Sequence, residues 1–481
     1  MEFRARFDCL RFILIDPSAE VAFLYRLRML PLRGTSLHIS GKDGEHPMGF
    51  NHSMKTRFKV SHKAMLLLLA LLVAPMTVFA ADSALVLKQG DRLAVVGDSI
   101  TQQKLYSKYI ETYLTACAPQ LEITAIQLGW GGEAAGGFAG RMDNDLVPWK
   151  PNVITLCYGM NDGLYKAYES ATGKPFEEAM RKIVTRFKAL GATVIVGSPG
   201  VVDSFSFKVN ATSSTVYNDT LGKLGDINRK IAEDNGMPFA DIHGAMLSAM
   251  EKAKAANGES FPVAGTDGVH PGPNGQLVMA YEFLRTMGLD GQIAAITVDM
   301  NGATTATEGQ KILSGGAGKI EIESSRYPFC FFGGEKDSTG TRSILPFVPF
   351  QENLNRFTLI VKNLPGKQAE VKWGNASKTF DSEQLAKGIN LAAEFVDDNP
   401  FTAPFDRVMK AVEEKQKHET DMIKGPVNTV GKLKAGNPAD PKLAEAVAAS
   451  ETAWTQWETK KADVRSAFQP VRHTIEIKPV D

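Results

Sequence analysis

Leu93-Ala94-Val95-Val96-Gly97-Asp98-Ser99-Ile100-Thr101 is a continuous apolar run that stops on glycine and passes into a polar turn. A helix is expected over residues 103–116 directly after it. The same alternation returns downstream. Strand-like runs at 123–128, 153–158, 193–197 and a short one at 238–240 are separated by helical stretches, which predicts a parallel sheet. The unbroken apolar character of the first, third and fourth runs fits strands covered by helices on both faces. Phe176, Met180, Ile183, Phe187 and Leu190 recur at helical spacing and stop at Gly191; Tyr217, Leu221, Leu224, Ile227 and Ile231 do the same before Gly236. The fold class expected is a three-layer α/β/α sandwich.

Around this unit the composition sets limits. The 481 residues, at roughly 100–200 per domain, exceed one small module. With 43% hydrophobic and 22% charged residues the chain has the makings of ordinary cores, so bulk disorder is excluded. Lys+Arg and Asp+Glu are 54 each, so no global charge favours nucleic acid or an anionic membrane as partner. Four cysteines cannot frame a chain of this length with disulfides.

Lys55, Arg57, Lys59 and Lys63 precede an apolar run at 65–74, and Val78, Phe79 and Ala80 follow Pro75, which is a secretory signal pattern with cleavage expected after Ala80. The run is about half of the roughly 20 residues a membrane span needs, so no stable span is expected after cleavage. Because a signal belongs at a terminus, residues 1–53 are read as a non-native or disordered extension, Met54 as the start and 54–80 as the signal peptide. Secretion or export to a periplasm follows. Without residues 1–80 the chain is mildly acidic and keeps Cys117, Cys157 and Cys330, an odd set in which at least one is free or intermolecular, with Cys157 an inert core residue.

The α/β unit is expected to span 81–290. A β-rich accessory region follows over 291–400, with strands at 319–322, 329–332, 357–361 and 370–373. Residues 401–481 read as a helical hairpin (405–424 and 441–468) joined by a Gly/Pro loop at 425–438, with a closing strand at 473–480.

Four blocks carry chemistry. Gly97-Asp98-Ser99-Ile100-Thr101 places a serine at the carboxyl edge of a parallel sheet and at a helix N-terminus, where it serves either as a cap or as a nucleophile beside unpaired amides. Leu128-Gly129-Trp130-Gly131-Gly132-Glu133 lets backbone approach a ligand, or simply turns. Tyr158-Gly159-Met160-Asn161-Asp162 adds a side-chain amide at the same edge. In Thr266-Asp267-Gly268-Val269-His270-Pro271 a carboxylate three residues from an imidazole can fix its tautomer. Jointly they supply nucleophile, base, orienter and extra hydrogen-bond donors, the set that acyl transfer requires.

In this order the blocks resemble the SGNH (GDSL-type) serine hydrolase/esterase family over roughly residues 91–288. The resemblance implies a flavodoxin-like hydrolase fold, Ser99 as nucleophile, His270 as general base and Asp267 as its orienter. It also implies an oxyanion hole built from the Ser99 amide, the Gly132 amide and the Asn161 side chain, and no cofactor. Ile100 stands where the family name has Leu, and Gly131 where many relatives carry Ser, which leaves the backbone donor open between Gly132 and Gly131.

No metal-ligand spacing occurs, so no metal is expected. His243 lies near the same sheet edge and is read as structural for want of a carboxylate in motif spacing; His418 and His473 have no catalytic context. Phe329, Phe331, Phe332 and Trp373 are read as core, with sugar stacking the lesser alternative, and Trp454 and Trp457 as helix packing. The function expected is a secreted serine esterase acting on short acyl, chiefly acetyl, groups of carbohydrate, its partner being a small-molecule or polysaccharide ester. Lysophospholipase or aryl-ester hydrolysis, and a non-catalytic glycan- or envelope-binding protein on a hydrolase scaffold, are the alternatives. Intact Ser99, Asp267 and His270 favour an enzyme. Substrate depth is expected to depend on the loops 164–174 and 201–215.

Overall fold

The computed structural model describes residues 84–316 and 318–480. The signal pattern at 54–80 and the extension before it lie outside the described residues.

Five parallel strands, β1 (Arg92–Gly97), β2 (Thr124–Gly129), β3 (Val153–Cys157), β4 (Thr193–Gly197) and β5 (Phe239–Ala240), form a sheet in the order β2-β1-β3-β4-β5. Because side chains alternate along a strand, each run feeds two cores. Leu93 and Val95 face one, with Ile110, Leu277 and Phe283; Ala94 and Val96 face the other, with Phe138, Phe176, Phe187 and Leu224. Helices α2 (Tyr106–Ala116), α6 (Ile242–Asn257) and α7 (Pro273–Thr286) contribute to the first layer. The second is built by α3 (Ala135–Asp145), α4 (Ser170–Ala189) and α5 (Ser214–Asn235). This is the α/β sandwich that the alternation predicts.

The helix expected over 103–116 begins later: α2 starts at Tyr106, and a separate one-turn α1 (Ser99–Gln102) precedes it. Lys104 takes a left-handed φ of 58° between them. Gln276 of α7 stabilises the break: its Oε1 accepts from Tyr106 N at 2.9 Å and its Nε2 donates to Gln103 Oε1 at 2.6 Å.

Beyond α7, β6 (Gln292–Asp299) lies between β7 (Thr304–Ala306) and β10 (Arg356–Lys362), with β13 (Ile389–Asn390) beyond β10. A second sheet runs β12-β11-β14-β9-β8, using β8 (Gln310–Gly316), β9 (Lys319–Ser324), β11 (Gln368–Trp373), β12 (Ala376–Asp381) and β14 (Val471–Val480). The C-terminal strand is central rather than closing, antiparallel to both β9 and β11. The core that begins at Leu87 and Leu93 continues through Ile296, Phe329 and Trp373 to Ile477.

Two expectations fail here. Residues 329–332 are not a strand. The Asn355 side chain clamps Phe329 instead, accepting from its N at 2.6 Å and donating to its carbonyl at 2.9 Å, and Phe329 and Phe331 pack into a ring cluster with Phe350. The 425–438 loop is mostly helix: α8 (Thr402–Met422) runs through a π-helical turn (Ile423–Val427) into α9 (Asn428–Gly436), before α10 (Leu443–Ala467). Gly425 alone leaves helical geometry, at φ −93° and ψ −106°. That departure accommodates Pro426, whose missing N–H would break a regular helix.

Helix α8 covers the outer margin of β2. Lys415 Nζ donates to the Ala125 carbonyl at 2.9 Å, and Glu419 Oε2 accepts from Gln127 N at 2.9 Å. Lys415 also pairs with Glu111 at 3.0 Å and with Glu419, all three buried. No helix among the described residues is long and apolar enough to cross a membrane.

Candidate active site

The carboxyl ends of the parallel strands stand level, with Gly97 paired to both Gly129 and Cys157, and Cys157 to Gly197. Each candidate block emerges at this edge or on a loop beside it. Asp98 caps α1, its Oδ1 accepting from Ile100 N at 2.9 Å. Ser99 therefore sits at the first position of a helix, and its own amide has no partner among the described residues. Such an amide is available to an anion.

Ser99 Oγ lies 2.8 Å from His270 Nε2, and His270 Nδ1 lies 2.7 Å from Asp267 Oδ2. The second carboxylate oxygen accepts from Val269 N and His270 N, each at 2.9 Å. Partial burial works against the Asp267 charge, but these bonds and the imidazole outweigh it and hold the carboxyl below its usual range. With the carboxylate ionised, Nδ1 carries the proton and Nε2 is left as the acceptor facing Ser99.

The turn after β2 is defined by Glu133 N donating to the Trp130 carbonyl at 3.1 Å, with Gly132 at φ 72°. That sign is reserved for glycine at low cost. The Gly131 amide is consumed by Gln102 Oε1, whereas the Gly132 amide has no partner among the described residues. Of the two candidates left open by sequence, Gly132 is the one with an N–H to give. Gly129 serves a separate need, since a Cβ there would fall 2.2 Å from Gln102 N.

Asn161 Nδ2 donates to the Glu133 carbonyl at 3.0 Å, which leaves its second N–H uncommitted, and its Oδ1 accepts from Tyr165 at 3.3 Å. Glu133 is itself fixed: Arg141 makes a two-pronged pair with it at 2.7 and 2.8 Å, and the Tyr158 hydroxyl donates to it at 2.7 Å. Arg141 also reaches Asp145 at 2.9 Å. Beneath Ser99, burial raises the Asp98 carboxyl to about 7, and burial raises Asp162 to about 6.

Several groups in this arrangement escaped the sequence reading. Gln102 is three residues from Ser99 on the same turn, a spacing that could have flagged it. Glu133 closes a quoted block, but its partner Arg141 carries no motif. Tyr165 leaves no sequence signal of its own. The loops expected to shape the pocket do meet: Tyr165 stacks on Tyr217 and Phe207, with Leu164 and Phe205 exposed beside them. His243 is structural, its Nδ1 3.0 Å from the Gly200 carbonyl. His418 Nε2 meets the Ala453 carbonyl, and His473 is buried between Ser324 and Trp373. Trp373 is fully buried, so it presents no face to a sugar. Cys117, Cys157 and Cys330 are free and buried.

Residues 95–278 match the model of the GDSL-like Lipase/Acylhydrolase family. This segment belongs to the SGNH (GDSL-type) hydrolases. The chain is thus an ester hydrolase, 24% identical over 224 residues to the acetylxylan esterase of Geobacillus stearothermophilus, an alignment that takes in 42% of this chain and 95% of that one. A crystal structure of that acetylxylan esterase is 21% identical, with coverage of 42% and 97% and a TM-score of 0.36. The solved structure of a gut microbial diltiazem-metabolizing enzyme is 22% identical and covers 82% of this chain and 98% of that one, at a TM-score of 0.64. The fold shared with that structure therefore extends well past the family segment into the β-rich and helical regions.

Proposed function

We propose that the protein hydrolyses carboxylic esters through an acyl-serine on Ser99, with short acyl groups, chiefly acetyl, on carbohydrate as its substrates. The observation that carries this is the unbroken hydrogen-bonded chain from Ser99 Oγ through His270 to Asp267. His270 Nε2 accepts the Ser99 proton as Oγ attacks the acyl carbonyl. The carbonyl oxygen, now anionic, is met by the Ser99 amide, the Gly132 amide and the free N–H of Asn161. Asp267 stabilises the imidazolium, which then gives its proton to the departing alcohol oxygen. In the second half-reaction His270 takes a proton from water, the hydroxide adds to the acyl-serine, and the acid leaves as Oγ is reprotonated. The donors are in place before charge develops, so their orientation costs no reorganisation.

Carbohydrate as the alcohol is supported by the acetylxylan esterase relative, and export by the signal pattern ending at Ala80. The test is hydrolysis of p-nitrophenyl acetate, butyrate and octanoate by the chain from Ala81 onward, beside Ser99→Ala, together with acetate release from acetylated xylan. Loss of activity in Ser99→Ala, a preference for acetate and release from xylan are expected. An active Ser99→Ala sinks the nucleophile assignment, and a preference for octanoate with no release from xylan sinks the carbohydrate substrate. N-terminal sequencing of exported protein should begin at Ala81; a mature chain retaining Phe12 or Tyr25 would overturn the signal reading.

A further inference from the structure

We propose that Lys424, in the C-terminal helical arm, is a positioning residue for ester hydrolysis: by locking Gln102 it sets the turn that presents the Gly132 amide. The inference rests on the oxyanion role given to Gly132 above.

Lys424 Nζ donates to Gln102 Oε1 at 3.0 Å, and the same oxygen accepts from the Gly131 amide. Both partners are donors, so only the oxygen of the Gln102 amide can face them. Removing the ammonium takes away one of the two donors that fix this oxygen and leaves the Gln102 side chain held by the Gly131 amide alone. Gln102 stands in the one-turn helix that begins with Ser99, so nucleophile and turn are held against one short element. Space is tight as well: a Cβ on Gly131 would lie 3.0 Å from Gln102 Oε1. Lys424 also sits 5.0 Å from the centre of the Trp130 ring, which Arg141 covers at 4.7 Å. Two cations thus hold the residue that begins the turn.

The arm that carries Lys424 is anchored on both sides of it. Upstream, Lys415 and Glu419 are bonded to the margin of β2; downstream, the Val427 carbonyl accepts from Asn144 Nδ2 at 2.9 Å. Between these anchors the helix takes its π turn, with Gly425 outside helical geometry.

The experiment compares kcat and KM of the whole chain for p-nitrophenyl acetate in Lys424→Met, Lys424→Arg, Gln102→Ala and the Lys424→Met/Gln102→Ala pair, with Ser99→Ala as control. A misplaced donor costs less than a deleted one, so Lys424→Met and Gln102→Ala should each lower kcat about tenfold, with KM within about twofold and an unchanged thermal midpoint. Lys424→Arg should recover most of the rate. The double variant should be no slower than the worse single, because the two residues act on one turn. A wild-type kcat in Lys424→Met, a change confined to KM, or losses that multiply in the double variant would overturn the inference. Should Lys424→Met fail to fold, Gln102→Ala reads the same relation: a kcat loss supports it and a wild-type kcat overturns it. Activity surviving in Ser99→Ala would instead strike at the acyl-serine reading itself.

Discussion

The Glu133 carbonyl accepts a hydrogen bond from Asn161 Nδ2 at 3.0 Å, which ties the turn after β2 to the loop after β3. One bond therefore sets the orientation of a side-chain donor from the position of a backbone one. Glu133 in turn takes its place from a guanidinium two turns along the next helix. The donors proposed for the substrate oxygen are parts of one hydrogen-bonded assembly.

Asn161→Ala should lower kcat by about 10² to 10³ with little change in KM, since the donor acts on charge that exists only in the transition state. Tyr165→Phe, which removes only the orienting hydroxyl on Oδ1, should cost much less. Steady-state kinetics on p-nitrophenyl acetate checks both, and equal losses would mean that Tyr165 has a role of its own.

Asp267→Asn should be severe because of how its two oxygens are used. The backbone amides of Val269 and His270 would claim the remaining oxygen, turning the new NH2 toward His270 Nδ1. The imidazole would then have to carry its proton on Nε2, facing Ser99, where no base is left. A kcat loss of about 10³ to 10⁴ is expected. Retained activity would show that the imidazole keeps its tautomer by other means.

Glu133→Ala leaves Arg141 buried with half its partners gone. Breaking a buried pair from one side costs about 3 to 5 kcal/mol, so a clear fall in the urea midpoint should accompany the loss of activity. An unchanged midpoint would show that water or Asp145 satisfies the guanidinium.

Asp98 brings a pH dependence of stability. Its folded value of about 7 lies above the unfolded one, so its contribution is favourable in acid and is lost as pH rises through about 4 to 7. Asn in its place keeps the acceptor for Ile100 N and does not ionise. The gain in thermal midpoint from Asp98→Asn should thus be larger at pH 8 than at pH 5, with a ceiling of about 4 kcal/mol. A gain independent of pH would contradict this.

His473 runs the other way. Burial lowers it to about 4, and Trp373 Nε1 donates to its Nδ1 at 3.2 Å, so the folded state holds a neutral ring. Its share of stability is complete above pH 6.5 and drains away as pH falls toward 4, by about 3 kcal/mol. His473→Gln should flatten the melting profile across that window. A profile as steep as the native one would place the acid sensitivity elsewhere.

Alternation of apolar runs with helical spacing made the parallel sheet readable, because one local rule governs each element there. Ser99, Asn161 and His270 were readable for a related reason: each follows a strand or sits in a short motif. What hid the rest was distance along the chain. Gln276, from another element entirely, holds the chain where α2 makes its delayed start, and Asn355 holds 329–332 out of a sheet that its own aromatic residues favour. Helix returns at 428–436 after the departure at Gly425, where Asn144 of α3 bonds the Val427 carbonyl, a partner that no local spacing announces. Gln102 and Glu133 could be seen as residues, but their partners Lys424 and Arg141 become partners only in three dimensions.

Lys415 and Glu419 do for β2 what a sixth strand would have done. Their side chains meet one outward carbonyl and one outward amide, so the β2 edge of the main sheet is partly finished. Severed near residue 290, the GDSL-type segment would lose these two partners of β2 and bare part of its edge to a neighbouring chain. The C-terminal arm works as a selvedge, the finished edge that keeps a woven sheet from catching on the next.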